Sequence, residues 1–123
     1  MKTAVPNKLA LRLRTYFADY LPGVRGMSPN TVHSYRDSLV LLLRFLSSQR
    51  KCQIHDLDFH HIEPDQVMAF LTHLEEIRKN SVTTRNVRLA AIHAFFRYVA
   101  PLHPEQLDRV QRILAISFKR ARQ

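Results

Sequence analysis

A chain of 123 residues can bury one core without disulfides or metal and is short for two ordinary domains, so a single domain is expected. With 46% hydrophobic and 24% charged residues it has neither a disordered nor a membrane composition, and two glycines and six prolines are too few for the turns a sheet needs, which predicts an all-α fold. Nineteen Lys and Arg against ten Asp and Glu leave +9 with histidines neutral, a surplus that favours a polyanionic partner; a membrane role is disfavoured because the longest apolar run, Leu39–Leu43, falls far short of the ~20 residues that span a bilayer.

Five helical segments are predicted. The first runs from Asn7 to Tyr20, with Leu9, Leu13, Tyr16, Phe17 and Tyr20 at helical spacing, and Pro22-Gly23 ends it. Ser28 as N-cap and Pro29 at the first helical position open the second, which continues to Ser48. The stretch "KCQIHDLDFHHIE" reads as an ordered connector held over the core by Ile54, Leu57, Phe59 and Ile62. A third helix follows Pro64 and carries Val67, Phe70, Leu71 and Leu74 on one face. The fourth opens at Ser81 and is stopped by Pro101; the fifth starts at Pro104 and carries Leu107, Val110, Ile113 and Leu114. The end, "FKRARQ", is basic and aperiodic and reads as a tail or the start of a linker.

Helices 2 and 4 share an unusual plan. On helix 2, Thr31, Tyr35, Ser38, Leu39, Leu42, Phe45 and Leu46 fall on one side, a core-facing stripe. The opposite side shows Asn30, His33, Arg36 and Asp37 in the first turns but Val40 and Leu41 later, so the second half should be enclosed while the first emerges. Helix 4 repeats this: Leu89, Ile92, Phe95, Phe96 and Val99 bury its second half, while Arg85 and Arg88 occupy the same sector earlier, in "SVTTRNVR". Hydroxyls, an amide and two guanidiniums thus meet at a helix start whose free N–H groups already favour an anion. Polar helix starts are common because Ser, Thr, Asn and Asp cap them; two basic emergent halves in a +9 chain make nucleic acid the better reading.

Other constellations carry less. Cys52, His55, His60 and His61 include zinc-type ligands, but the last two are adjacent and no second cysteine exists, so neither a metal nor another cofactor is expected. Hydrolase chemistry would need a strand-turn-helix frame with glycines, which is missing. Tyr16, Tyr20, Tyr35 and Tyr98 sit at helix positions suited to packing. The opening "MKTAVPNKLALRLRTYF" becomes charged before a signal-peptide core can form, and the lone Cys52 has no intramolecular partner, both pointing to a reducing, cytoplasmic setting.

With these helices read, "SPNTVHSYR" followed by Leu39, Leu42 and Phe45-Leu46, then "HIEPDQVMAFLTHL", then "TTRNVRLAAIHAFFRYV", resemble in order and spacing the N-terminal core-binding domain of tyrosine recombinases, the phage-integrase and Xer-type family. The resemblance covers roughly residues 7 to 115. It implies a compact SAM-like bundle of four to five helices over residues 1–115, with 116–123 a basic tail or the start of a linker to a catalytic domain this chain lacks. It further implies half of a clamp on double-stranded DNA, with helices 2 and 4 toward the major groove. Asn30, Thr31, Ser34 and Arg36 of helix 2, and Thr83, Thr84, Arg85 and Arg88 of helix 4, become candidate contacts. The helical wheel turns Thr31 and Tyr35 toward the core instead, and an often basic family position is His93 here.

The family's phosphoryl transfer belongs to the other domain. His33-Ser-Tyr-Arg36 matches the letters of its catalytic H-x-x-R but lies in the wrong domain, so no catalytic residue is assigned and the chain itself is not expected to be an enzyme. Expected partners are duplex DNA and neighbouring recombinase protomers assembled on it, with the free chain monomeric or weakly associating. The competing readings are a stand-alone helical DNA-binding regulator and a helical protein-interaction module whose charge serves solubility. Binding to duplex that weakens steeply with salt separates the DNA readings from the last.

Overall fold

The side chain of Asn7 shows how local chemistry and tertiary structure are joined at the start of the chain. Its Oδ1 accepts the Ala10 N–H at 2.8 Å, capping the first helix, and its Nδ2 donates to the Leu57 carbonyl at 2.7 Å, tying that helix to the connector. The computed structural model describes residues 6–120, and among them the elements are α1 (Lys8–Thr15), α2 (Pro29–Arg50), α3 (Pro64–Glu76), α4 (Val82–Leu102) and α5 (Leu107–Leu114), with no strand. The fold is all-α, as composition predicts.

The first helix does not end at Pro22-Gly23. It widens into π-helical turns over Tyr16–Val24 with Pro22 inside. A wider turn relieves the clash between a proline ring and the carbonyl four residues back. The stop is Gly26, whose φ of 61° turns the chain while Arg25 N donates to Tyr20 O at 2.8 Å and Met27 N to Leu21 O at 2.9 Å. The stop signal was one glycine further along than composition suggested.

The later starts follow their caps. Ser28 Oγ accepts from Thr31 N at 3.3 Å with Pro29 as the first helical residue, and Ser81 Oγ accepts from Thr84 N at 3.1 Å. Pro101 does not stop α4, which runs one residue past it to Leu102, and Pro104 opens a short 3₁₀ turn, Pro104–Gln106, ahead of α5. In the connector, Leu57, Phe59 and Ile62 are buried as expected, whereas Ile54 is exposed at the end of a groove between α1 and α2. Cys52 is half-buried, and His61 Nδ1 accepts the Asp58 N–H at 2.9 Å, closing the turn Phe59–His61.

The core is organised around the second half of α4. Leu89, Ile92, Phe95, Phe96 and Val99 have no exposed surface, because α2, α3 and α5 all pack against this one helix. Leu42 and Leu46 of α2, Val67 and Phe70 of α3 and Val110 and Ile113 of α5 supply the facing surfaces. At one end, Tyr16 stacks among Tyr20, Phe95 and Tyr98, with the Tyr16 and Tyr98 centroids 4.9 Å apart and the Tyr98 hydroxyl 2.8 Å from Thr15 Oγ1. Arg12 Nε donates to His103 Nε2 at 2.8 Å, fastening α1 to the end of α4. No helix among the described residues is long and apolar enough to cross a membrane.

The two glycines should respond oppositely to alanine. Gly26 sits at positive φ, so Gly26→Ala is expected to cost about 1–2 kcal/mol. Gly23 lies within the π-helical turns with open space around it, so Gly23→Ala should be neutral or stabilising by up to about 1 kcal/mol. Denaturant melts of the two variants check the reassigned stop; equal losses would contradict it.

Candidate nucleic-acid interface

The two helices with polar first halves meet where those halves end. Arg88 of α4 donates through Nη1 to Ser38 Oγ of α2 at 3.1 Å, and Ser38 in turn donates to the Ser34 carbonyl at 3.1 Å. Ser38 has no exposed surface, so its hydroxyl meets an arginine and its own helix rather than water. Beyond this crossing each helix turns a buried apolar face to the core, Leu39, Leu42, Leu43 and Leu46 on α2 and Leu89, Ile92, Phe95, Phe96 and Val99 on α4; before it they carry the candidate contacts.

On α2, Asn30, Thr31, Ser34 and Arg36 are all exposed. This corrects the helical-wheel placement of Thr31: the first turns of α2 extend beyond the edge of the core, so nothing packs on Thr31, and its hydroxyl pairs instead with Ser28 Oγ at 3.0 Å. Tyr35, half-buried, is where the inward stripe begins. On α4, Thr83 is exposed, Thr84 half-buried beside the cap, and Arg88 half-buried with its Nε enclosed and without a hydrogen-bond partner.

Arg85 departs from expectation. Only 2% of it is exposed, so it does not emerge with its neighbours. Its guanidinium is drawn to Glu75 of α3, with Nε 3.6 Å from Oε1, and Nη1 donates to Asn86 Oδ1 at 3.0 Å and to the Ser117 carbonyl at 3.1 Å. A charge this deep needs a countercharge and acceptors, and Glu75 and the chain after α5 supply them. Position along α4 could not reveal this, because both the acid and the carbonyl come from elsewhere in the chain.

His93 also faces inward. Its Nε2–H donates to the Ile113 carbonyl at 3.0 Å, and its ring meets the edge of Phe118 with centroids 5.3 Å apart. Burial lowers its pKa below the ordinary value, with the Ile113 carbonyl opposing and Arg97 adding to the effect. In place of a basic DNA contact, α4 here carries a histidine that holds α5.

The sequence reading passed over Arg25 and Arg97. Both are exposed at a recess of about 170 Å³ that Tyr16, Tyr20, Tyr35 and Tyr98 also line, with no carboxylate among its walls. Burial, chiefly, raises the Tyr16 pKa, so its hydroxyl stays protonated. Helical period gave no signal for the pair: Arg97 follows Arg88 by two and a half turns, on the opposite face of α4, and Arg25 is placed by the last π-helical turn, where its N–H bonds Tyr20 O.

These features define a small all-α domain in which two crossing helices hold polar first turns, with exposed Arg36 and half-buried Arg88 among them. Residues 15–101 match the family described as "Phage integrase, N-terminal SAM-like domain", and the chain belongs to that family. It is 41% identical over 113 residues to the putative integrase/recombinase y4rD of Sinorhizobium fredii, covering 92% of this chain and 40% of that protein. A second protein of that organism, the putative integrase/recombinase y4rC, is 42% identical over 91% of this chain and 34% of its own length. The tyrosine recombinase XerC of Roseiflexus castenholzii is 34% identical over 79% of this chain and 29% of its own. The chain thus spans 40% or less of the length of these relatives. No solved structure gives a significant match.

Burial makes Arg85 a structural residue. Arg85→Ala is expected to cost on the order of 2 kcal/mol, less than a fully enclosed pair because Glu75 keeps Lys119, while Arg36→Ala should change stability by no more than about 0.5 kcal/mol. Urea melts decide; equal stability for the two variants would put Arg85 in solvent. His93 gives a pH signature. Below its ordinary pKa of 6.5 the unfolded ring takes a proton that the folded ring resists, so its contribution is full above about pH 6.5 and lost as pH falls. His61, lowered by burial and His60, acts in the same sense. His93→Gln should therefore flatten, without abolishing, the loss of stability between pH 7 and pH 5; an unchanged slope would contradict the assignment.

Proposed function

We propose that this chain is the DNA-binding N-terminal part of a tyrosine recombinase or integrase, holding one side of duplex DNA through the first halves of α2 and α4 while a separate domain performs strand transfer. The observation that carries this reading is the arrangement at the crossing. Two helices anchored in one core leave exposed polar and cationic turns on either side of the Arg88–Ser38 contact, in a chain with a net charge of +9.

Within that reading the residues divide by what they can reach. Arg36 supplies a free guanidinium, and Asn30, Thr31, Ser34 and Thr83 supply donors for phosphate oxygens or base edges. Thr84 and Arg88 contribute from half-buried positions, Arg88 with Nη1 of its guanidinium held on Ser38 at the crossing. Arg85 contributes indirectly, by fixing the start of α4. The family's description as a phage-integrase N-terminal domain and the names of the relatives support recombination as the process, and neighbouring protomers on the same DNA are proposed as partners.

Duplex binding measured against salt tests the proposal. Affinity should fall linearly on a log–log plot, and Arg36→Gln should lower the slope by about 0.9 for one lost phosphate contact. Melting temperature should stay unchanged in that variant. Binding that is absent, or insensitive to salt, would favour a protein-interaction module; nanomolar, sharply selective binding by this chain alone would favour a stand-alone regulator, since half of a clamp should hold DNA weakly.

A further inference from the structure

The residues after α5 form no regular structure, yet they are held. From Ile113 the chain runs back along α4: His93 bonds the Ile113 carbonyl, Phe118 lies against the His93 ring, and Arg85 bonds the Ser117 carbonyl. At Lys119 the grip is two-sided. Asn86 Nδ2 donates to the Lys119 carbonyl at 2.7 Å, and Lys119 N donates back to Asn86 Oδ1 at 3.1 Å. One side-chain amide thus satisfies both backbone groups of a single residue, as a neighbouring strand would. Lys119 Nζ also reaches Glu75 Oε1 at 2.9 Å, so one carboxylate serves both the buried Arg85 and the lysine of the held segment.

We propose that Glu75, Arg85 and Asn86 form a socket for Ser117–Lys119, so that any polypeptide following residue 120 leaves the domain beside the first turns of α4 in a fixed direction. The role assigned to these three residues is positioning. Without the socket a tether would begin where α5 ends, at Ala115; with it, the free chain begins about five residues later, which removes roughly 17 Å of extended reach. A shorter tether with a fixed origin raises the effective concentration of whatever it carries near that origin. Resting on the proposed function, the origin lies next to Thr83, Thr84 and Arg88, so the second domain would be launched from the DNA-facing end of α4. The socket explains why an arginine in a DNA-facing series is buried: its charge is used to hold the exit.

The test is amide hydrogen exchange by NMR on the 123-residue chain. The Lys119 amide should exchange roughly tenfold or more slowly than in an unstructured peptide, and Asn86→Ala should return it to the unstructured rate while α5 amides keep their protection. Exchange at the unstructured rate in the unaltered chain, or protection that survives Asn86→Ala, overturns the socket. Should Asn86→Ala fail to fold, Lys119→Pro carries the test, since it removes the donated N–H from an exposed residue outside the helices. It should release Ser117 and Phe118 while leaving the helices intact, and an unchanged spectrum for those two residues refutes the proposal. Duplex added to the unaltered chain separates the two readings. A protected Lys119 with no DNA binding supports the socket and sinks the DNA role; DNA binding with an unprotected Lys119 does the reverse.

Discussion

The enclosure of the second half of α4 is the constraint from which the rest of this structure follows. Leu89, Ile92, Phe95, Phe96 and Val99 lose all contact with solvent, because three helices pack around it. Removing any of the buried phenylalanines would cost about 3–5 kcal/mol, a large fraction of the stability of a domain this size. A helix committed so heavily at one end carries most of its polar groups at the other, with Arg97 the exposed exception on the second half of α4. α2 faces the same restriction, and the Arg88–Ser38 contact marks the boundary on both.

That boundary explains the polar half as well. Arg36, Ser34 and Thr83 remain in solvent because only the inward stripe, with Val32 and Tyr35, meets the core before the crossing, whereas Arg85, on the side that meets α3 and the returning C-terminal segment, is enclosed by Glu75 and Ser117. The first two turns of α4 therefore serve two surfaces: one facing outward, proposed to meet DNA, and one facing the end of the chain. Membership in the phage-integrase N-terminal family fits this plan, since relatives at least two and a half times as long as this segment must connect it to the rest of their chains.

Most of the architecture was legible in the sequence. Period and caps alone located α2 and α3, and the apolar set of α4 was read residue by residue, because a helix buried on several sides leaves a dense apolar signature. The ends governed by backbone geometry were less legible: Pro22 and Pro101 look like stops, yet a widened turn accommodates one and the last turn of α4 the other. The site was only half legible. Exposure of Arg36 follows from its own helix, but burial of Arg85 depends on an acid on α3 and a carbonyl after α5, and the tyrosine-lined recess joins Arg25 at the end of the π-helical turns to Arg97 of α4. Local periodicity carries no information about such distant partners.

The central claim is that the two anchored helices present their first halves, and only those, to duplex DNA. Mapping backbone chemical-shift changes on the 123-residue chain as a short duplex is titrated in tests this most directly. The account predicts changes concentrated at residues 30–36 and 83–88, with buried Ile92, Phe95, Phe96 and Val99 and the Ile54 end of the groove between α1 and α2 unaffected. Changes centred on the Ile54 end of that groove or on the exposed face of α5, with residues 30–36 and 83–88 silent, would contradict it.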